Sequence, residues 1–331
     1  MNVLWLRPKK PDNISIHSER LALKLQDRGH EVRIRDASVF NLLSPISDDI
    51  SPDIIIGTTR LGAFIGALEK RRRRIPLVVE HVDPIYQMKE RSGFLKYFIA
   101  AWIERFAFRT ADHVIVIYES EVPRVTKYNK NYTQASLGVE YDMFASPSRK
   151  TVENARATIS DKGFLDKKIL IYVGGLETTY HISEMVESID YLDDEWVLLI
   201  LGDGSLKDYV VGVDENRQDV CYLGTVPHEM VPGFMHKSDV GICLVDDENT
   251  LKVLEYASAG LPSVNLKGKA EDRFENLVYF SEPDPKGIAD TVIEAHQKGA
   301  KDGFRELARE HGWESIADEY EEVMQAVLDE T

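Results

Sequence analysis

At 331 residues, with 43% hydrophobic and 9% aromatic residues, the chain is long enough for two cores and has the material to pack both. Its formal charge of −16 argues against a nucleic-acid partner, and no segment approaches the roughly 18 consecutive apolar residues of a membrane span. Met1 to Leu6 runs straight into Arg7, Pro8, Lys9 and Lys10 with no apolar stretch of signal length, so the expected location is the cytoplasm.

Apolar β-branched runs alternate with helical stretches, the pattern that builds parallel sheets with helices on both faces. In the first half the strand runs are Val3 to Leu6, Val32 to Ile34, Asp53 to Gly57, Leu77 to Glu80, Val114 to Tyr118 and a weaker Tyr132 to Leu137. Between the first two, Leu21, Ala22 and Leu25 follow helical spacing, and Gly29 is a natural stop. The second half repeats the plan with Ile169 to Val173, Val197 to Leu201, Val220 to Leu223, Val240 to Val245, Ser263 to Leu266 and Leu277 to Phe280. The join is expected near Ser146 to Arg149, around Pro147. Cys221 and Cys243 lie inside strand runs and read as small buried hydrophobes rather than a metal or redox pair.

Open α/β sheets bind ligands beyond the carboxyl ends of their strands, which directs attention to the loops there. The most informative is Val240 to Pro262, where a buried run ends in an acidic loop and a helix follows. Asn249 or Thr250 is placed to cap that helix, and Gly260 with Pro262 ends it. A helix start with Lys252 in its first turn would suit a diphosphate, and Glu255 on the same face would accept from ribose hydroxyls. From spacing alone, the favoured reading is an ordinary Lys–Glu surface pair on a capped helix. Glycines at two strand ends, Gly174-Gly175 and Gly202-Asp203-Gly204, would allow close ligand approach, or serve local turns.

Charge is uneven along the chain. Residues 60–110 hold eleven Lys and Arg against five Asp and Glu, a net of +6. Within them Gly93 to Thr110 mixes Phe94, Leu95, Phe98, Trp102, Ile103 and Phe106 with Lys96, Arg105 and Arg109. Two readings stand side by side. The apolar residues pack a core, or they join Arg71, Arg72, Arg73 and Arg74 in attaching the protein to an anionic membrane leaflet.

Ten ordered stretches resemble the retaining GT-B glycosyltransferases of family 4. They include Leu21 to Val32 (LALKLQDRGHEV), Pro52 to Gly57 (PDIIIG), Ile75 to Asp83 (IPLVVEHVD), Thr110 to Glu119 (TADHVIVIYE), Gly138 to Phe144 (GVEYDMF), Tyr172 to Leu176 (YVGGL), Leu201 to Ser205 (LGDGS), Leu223 to Val231 (LGTVPHEMV) and Leu251 to Val264 (LKVLEYASAGLPSV). The resemblance implies an α/β, GT-B fold: two Rossmann-like doubly wound parallel-sheet domains facing a cleft. The expected spans are 1–147 for an acceptor domain, 148–312 for a nucleotide-sugar domain, and 313–331 for a helix returning to the first.

The resemblance also implies roles. Glu255 holds the donor ribose, Asp247 takes the place of the carboxylate that faces the sugar, and His81 takes that of the histidine near the reacting centre. Gly174, Gly175, His181, Gly202, Asp203, Gly204, Val226, Asn249, Thr250 and Leu251 complete the expected donor site. Departures accompany it. The family's Arg after the YVG strand is Gly175, the Lys at the next helix is replaced around Tyr180 and His181, and Leu137 stands for an Asn. Lys252 and the helix start are then left to oppose the diphosphate. The expected activity moves a sugar from a nucleoside diphosphate sugar to a glycan, polyol or lipid-linked acceptor, with no metal or other cofactor. A catalytically silent subunit supporting a partner enzyme and a nucleotide-sugar epimerase are the rival readings.

Overall fold

The computed structural model describes residues 1–9, 16–42, 44, 46, 51–85 and 94–330. Two compact units divide the chain, one of Met1–Gly138 with Trp313–Thr331 and one of Val139–Gly312. The first unit opens with β1 (Asn2–Pro8), α1 (Ile16–Asp27), β2 (Glu31–Ala37), β3 (Ile54–Thr58), α2 (Thr59–Arg73) and β4 (Leu77–His81). It continues with α3 (Phe94–Thr110), β5 (His113–Val116), α4 (Val122–Val125) and β6 (Tyr132–Gln134). Its strands are all parallel, in the order β2-β1-β3-β4-β5-β6. Every residue of β3 and β4 is buried, as a parallel strand covered on both faces requires.

The second unit runs α5 (Tyr141–Ala145), α6 (Arg149–Asp161), β7 (Lys168–Gly175), α7 (Ile182–Ser188), β8 (Trp196–Asp203), α8 (Lys207–Asn216) and β9 (Val220–Gly224). It goes on with α9 (Val231–Met235), β10 (Val240–Cys243), α10 (Leu251–Ala259), β11 (Ser263–Leu266), α11 (Glu271–Phe274), β12 (Tyr279–Ser281), α12 (Pro285–Lys298) and α13 (Phe304–Glu310). The parallel order β12-β11-β10-β7-β8-β9 is that of a dinucleotide-binding sheet and reverses direction between β7 and β10. In the first unit the reversal falls between β1 and β3.

The division falls at Gly138, ahead of the expected join at Ser146 to Arg149. Val139 bridges Gly312 and donates its N–H to the His311 carbonyl at 2.8 Å, and Phe144 is packed in the second unit's core. The chain therefore changes unit before the proline and not at it. Both cysteines are buried and free, and burial pushes the thiols up to about 11 for Cys221 and about 12 for Cys243.

The last helix, α14 (Trp313–Asp329), belongs to the first unit. Its Trp313, Ile316, Tyr320, Met324 and Val327 complete the core around Trp5 and Leu21. Charge fixes the register, since Lys24 reaches Glu314 at 2.6 Å and Arg28 reaches Asp318 at 2.6 Å. The centre of this packing is Glu80, a fully buried carboxylate on β4. It accepts hydrogen bonds from His17 Nε2 at 3.0 Å, from the Thr58 hydroxyl and from the Tyr320 hydroxyl, while Trp5 Nε1 donates to Thr58 Oγ1 at 2.6 Å. Burial alone would push Glu80 up, but His17, Thr58 and Tyr320 together hold it below the ordinary carboxylate range.

Tyr320→Phe removes one donor to a buried charge and is expected to lower stability by about 1.5–3 kcal/mol. The urea midpoint reads this, and an unchanged midpoint would show that Glu80 does not depend on α14. Glu80 and Glu121 both titrate lower in the folded chain than the usual 4.5, Glu121 at about 2. The stability they contribute is thus complete above about pH 4.5 and lost as pH falls toward about 2. Unfolding followed from pH 6 to pH 2 should show that decline, and a rise in stability on acidification would contradict it.

Candidate functional site

In the second unit the switch point lies between the carboxyl ends of β7 and β10. The segment after β10 folds back on itself before α10 begins. Asn249 N donates to Asp247 Oδ1 at 2.8 Å, and the Thr250 hydroxyl donates to the Asp247 carbonyl at 2.9 Å. Thr250 occupies the N-cap position with extended backbone, yet its side chain caps nothing. The expected cap by Thr250 is corrected accordingly: Asn249 and Thr250 are both buried in the loop, the Thr250 hydroxyl is turned back to Asp247, and the first-turn N–H of Val253 is bonded to the Thr250 carbonyl at 3.2 Å. Leu251, the first helical residue, is exposed, and Gly260 closes the helix in the left-handed region at φ +71°.

One turn into α10, Lys252 Nζ donates to Glu255 Oε2 at 2.5 Å. This is not a surface pair, because Glu255 is buried and Lys252 only partly exposed. Burial pushes the Glu255 carboxyl up, but the charge of Lys252 and hydrogen bonds from His228 and Lys252 outweigh it and keep the group low and ionised. His228 Nε2 stands 3.5 Å from Glu255 Oε1. Sequence reasoning passed over His228. Its one signal was its place just after the β9 strand end, beyond Val226 and Pro227. Val226 itself is partly buried and packs into the core.

The glycines at the strand ends turn out to serve the fold. A Cβ on Gly202, whose φ is +150°, would lie 1.8 Å from the Gly174 carbonyl oxygen, and one on Gly204 would lie 2.6 Å from the Leu176 backbone. On Gly174 it would meet the Tyr172 hydroxyl at 2.8 Å. Close approach of a neighbouring backbone at Gly202 and Gly204, and of the Tyr172 hydroxyl at Gly174, accounts for glycine at these three. Gly175 differs, since its nearest neighbour would be the Tyr180 ring at 3.5 Å, an ordinary contact.

His181 and Asp203 are both occupied. His181 Nδ1 is 3.3 Å from Glu184 Oε1, and its backbone sits at φ 50°, a left-handed conformation that costs a non-glycine residue about 1–2 kcal/mol. Asp203 pairs with Lys207 at 3.4 Å. A concavity of about 820 Å³, lined by Phe164, Trp196, Arg217 and Asp219 among others, lies at the opposite, amino-terminal ends of β7 to β9 and is no part of this site.

In the first unit His81 is buried at the end of β4, with Nε2 3.0 Å from Glu121 Oε2 and 3.0 Å from Arg124 Nη2. Arg124 also binds Glu104 at 2.7 Å, and Arg60 approaches Glu104 at 2.7 Å. His81 is therefore a member of a buried ion-pair network, and a second histidine of this unit, His17 in the first turn of α1, is bonded to Glu80. The four-arginine run is likewise partly committed. Arg72 and Arg73 both bind buried Glu69, at 2.8 and 2.7 Å, and Arg71 lies over the Phe106 ring at 4.7 Å. Lys89 and Arg91 of the basic window lie outside the described residues.

Helix α3 turns Ala100, Glu104, Ala107 and Phe108 inward. Phe94, Leu95, Phe98, Ile99 and Trp102 are 52–75% exposed, with Lys96 and Arg105 exposed among them. Core packing thus accounts for Phe106 and Phe108 but not for these five. Val39 and Phe40, in the turn whose Asn41 and Leu42 carbonyls bind Arg72, are also exposed. Among the described residues, no helix is long and apolar enough to cross a membrane, and no group of three His, Cys, Asp or Glu could hold a metal ion.

Residues 167–298 match the family model of glycosyl transferases group 1, and residues 36–130 match that of the glycosyl transferase 4-like domain. None of the curated proteins matches the chain in sequence. Among solved structures, HepE from Anabaena in complex with UDP has a TM-score of 0.79 at 15% identity, over 98% of this chain and 100% of that one. Sucrose-phosphate synthase from Thermosynechococcus elongatus gives 0.74 at 14% identity, over 100% of both chains. WaaG, a glycosyltransferase involved in lipopolysaccharide biosynthesis, gives 0.61 at 14% identity, over 99% of this chain and 98% of that one. With both units matched by family models and both sheets shared with these structures, the chain belongs to the GT-B glycosyltransferases of the group 1 family.

Proposed function

We propose that the second unit binds a nucleoside diphosphate sugar and that the protein transfers its sugar to a glycan, polyol or lipid-linked acceptor taken by the first unit. Retention at the anomeric carbon goes with this reading, on the strength of the resemblance. The observation that carries it is the Lys252–Glu255 pair, with Glu255 buried, in the first turns of a helix that starts at the switch point of a dinucleotide-type sheet. Glu255, ionised and held from two sides, is suited to accept from ribose hydroxyls. Lys252 and the N-terminal end of α10 oppose the charge that develops on the leaving diphosphate. Asp247, whose carboxylate and carbonyl fix the loop, faces the sugar. HepE is solved with UDP and with UDP-glucose, so uridine nucleotides are the first donors to test.

The exposed aromatic stripe of α3 supports a second element, contact with an anionic lipid surface at which the acceptor is held. Aromatic side chains at an interface bury apolar area, and each nearby Lys or Arg adds about 1 kcal/mol of attraction to anionic lipid.

Glu255→Gln is expected to weaken UDP binding by about 1.5–3 kcal/mol, the range for a hydrogen bond to a charged acceptor, with the melting point of the free chain retained. Calorimetry shows it, and equal affinity would place the ribose elsewhere. For the leaving group, Lys252→Ala is expected to lower turnover of the UDP-sugar by roughly 10²-fold or more, while His181→Gly relieves a left-handed backbone and leaves turnover intact. The reverse outcome would assign the diphosphate to His181. Nucleotide binding with no turnover at all would favour the silent subunit, and isomerised sugar the epimerase. In sedimentation with vesicles, the chain should bind anionic and not neutral phospholipid, less so in salt, and Phe98→Ser with Trp102→Ser should release it. Equal binding by that double variant would remove α3 from the lipid contact.

A further inference from the structure

Glu255 has a different partner on each carboxylate oxygen. Oε2 takes the Lys252 ammonium from within α10, and Oε1 faces the imidazole of His228, which comes from the 3-10 turn His228–Met230 after β9. The ring of His228 is held on a second side by Phe144, edge-on with centroids 5.5 Å apart. Phe144 is itself fixed, fully buried and with its carbonyl accepting from His236 Nε2 at 2.7 Å. The rest of the His228 side chain is open, 49% exposed. A half-buried ring that is positioned on two sides and open on the remainder presents a flat surface next to the carboxylate. Of the two side chains that bond Glu255, His228 alone carries a ring.

We infer that His228 forms the base-side wall of the donor nucleoside site, its open ring face stacking on the nucleobase while its Nε2–H steadies Glu255. This rests on Glu255 holding the ribose. In a nucleoside the base is attached to the ribose carbon next to the one bearing the 2′-hydroxyl. A group that stacks on the base must therefore stand beside the carboxylate that accepts from that hydroxyl, and His228 does. Phe144 supplies the rigidity, because a platform that swings freely gains little from a bound base.

Substitution separates the two functions of the ring. His228→Gln keeps an N–H that can reach Glu255 and removes the aromatic face, whereas His228→Phe keeps the face and removes the N–H. With the full chain and calorimetry against UDP, ADP, GDP and inorganic pyrophosphate, His228→Gln should lose about 5- to 150-fold in affinity for whichever nucleotide binds best, the change that a lost base–aromatic stack produces. His228→Phe should stay within about 3-fold of wild type, and pyrophosphate binding should not change in either variant. Melting of the nucleotide-free variants checks that this exposed position leaves the fold intact. Loss in the Phe variant, with or without loss in the Gln variant, overturns the stacking role, as does wild-type affinity in both. A wild-type chain that binds none of the three nucleotides overturns the Glu255 reading, and this inference with it.

Discussion

Burying an ionised carboxylate costs several kcal/mol unless protein donors replace the water it gives up, and the first unit is arranged around meeting that requirement at Glu80. The donors come from α1, β3 and α14, so three elements far apart in the chain are tied to one point on β4. Trp5 extends the tie to β1 through Thr58. Hydrophobic contact between α14 and the sheet supplies most of the burial, but it is non-directional and would tolerate a sliding helix. The hydrogen bond from Tyr320, with the Arg28 and Lys24 ion pairs at the rim, selects one register. The second unit repeats the device at Glu255, where the bonded carboxylate is half of the candidate site and not of the frame.

Among the described residues, the strands at the middle of each sheet coincide with apolar runs that can be read directly from the sequence, because a parallel strand buried on both faces leaves a continuous hydrophobic signature, whereas the edge strands β2 and β6 are mixed or polar and leave a weaker one. What could not be read was the partner of each polar side chain. His81 ends β4 and His17 lies in the first turn of α1, and nothing in the sequence says that Glu121 and Arg124 close on the first while Glu80 takes the second. Helix α3 shows the same limit from the apolar side. Apolar residues lie on more than one of its faces, so periodicity does not say which face is covered, and the inward positions proved to be Ala100, Glu104, Ala107 and Phe108. The glycines at the ends of β7 and β8 are ambiguous for a related reason, since a glycine admits a neighbouring protein atom as readily as a ligand. Lys252 and Glu255 were legible because three residues of helix place them together whatever the tertiary context.

Electrostatically the donor site is sparse. The positions where the resemblance would put an arginine and a lysine hold Gly175, which is open, and Tyr180, which packs against the core. Lys252 is already bonded to Glu255, so its field at a diphosphate is partly cancelled before any ligand arrives. Ribose hydroxyls donating to Glu255 would compete for that carboxylate and leave Lys252 freer to turn toward phosphate. Recognition of the ribose and neutralisation of the leaving group would then be coupled through a single side-chain pair, and a base and ribose that fit poorly would also leave the charge poorly opposed.

The second unit is one uninterrupted stretch, Val139–Gly312, set inside a first unit whose core is finished by residues that follow it. During synthesis the whole of that insert must leave the ribosome before Trp313 and Tyr320 exist. At about 5–20 residues per second this leaves the nascent first sheet waiting on the order of 10 s or more. Through that interval the surface that α14 later covers, including Trp5 and Leu21, faces water, and the Glu80 carboxylate lacks its tyrosine. The insert has its own sheet and cores and needs nothing from the last helix, so it can fold early and act as a tether that keeps the two parts of the first unit close. A folding arrest would therefore leave a sound second unit joined to an open first unit, and the sticky half-built sheet is where a chaperone would be needed.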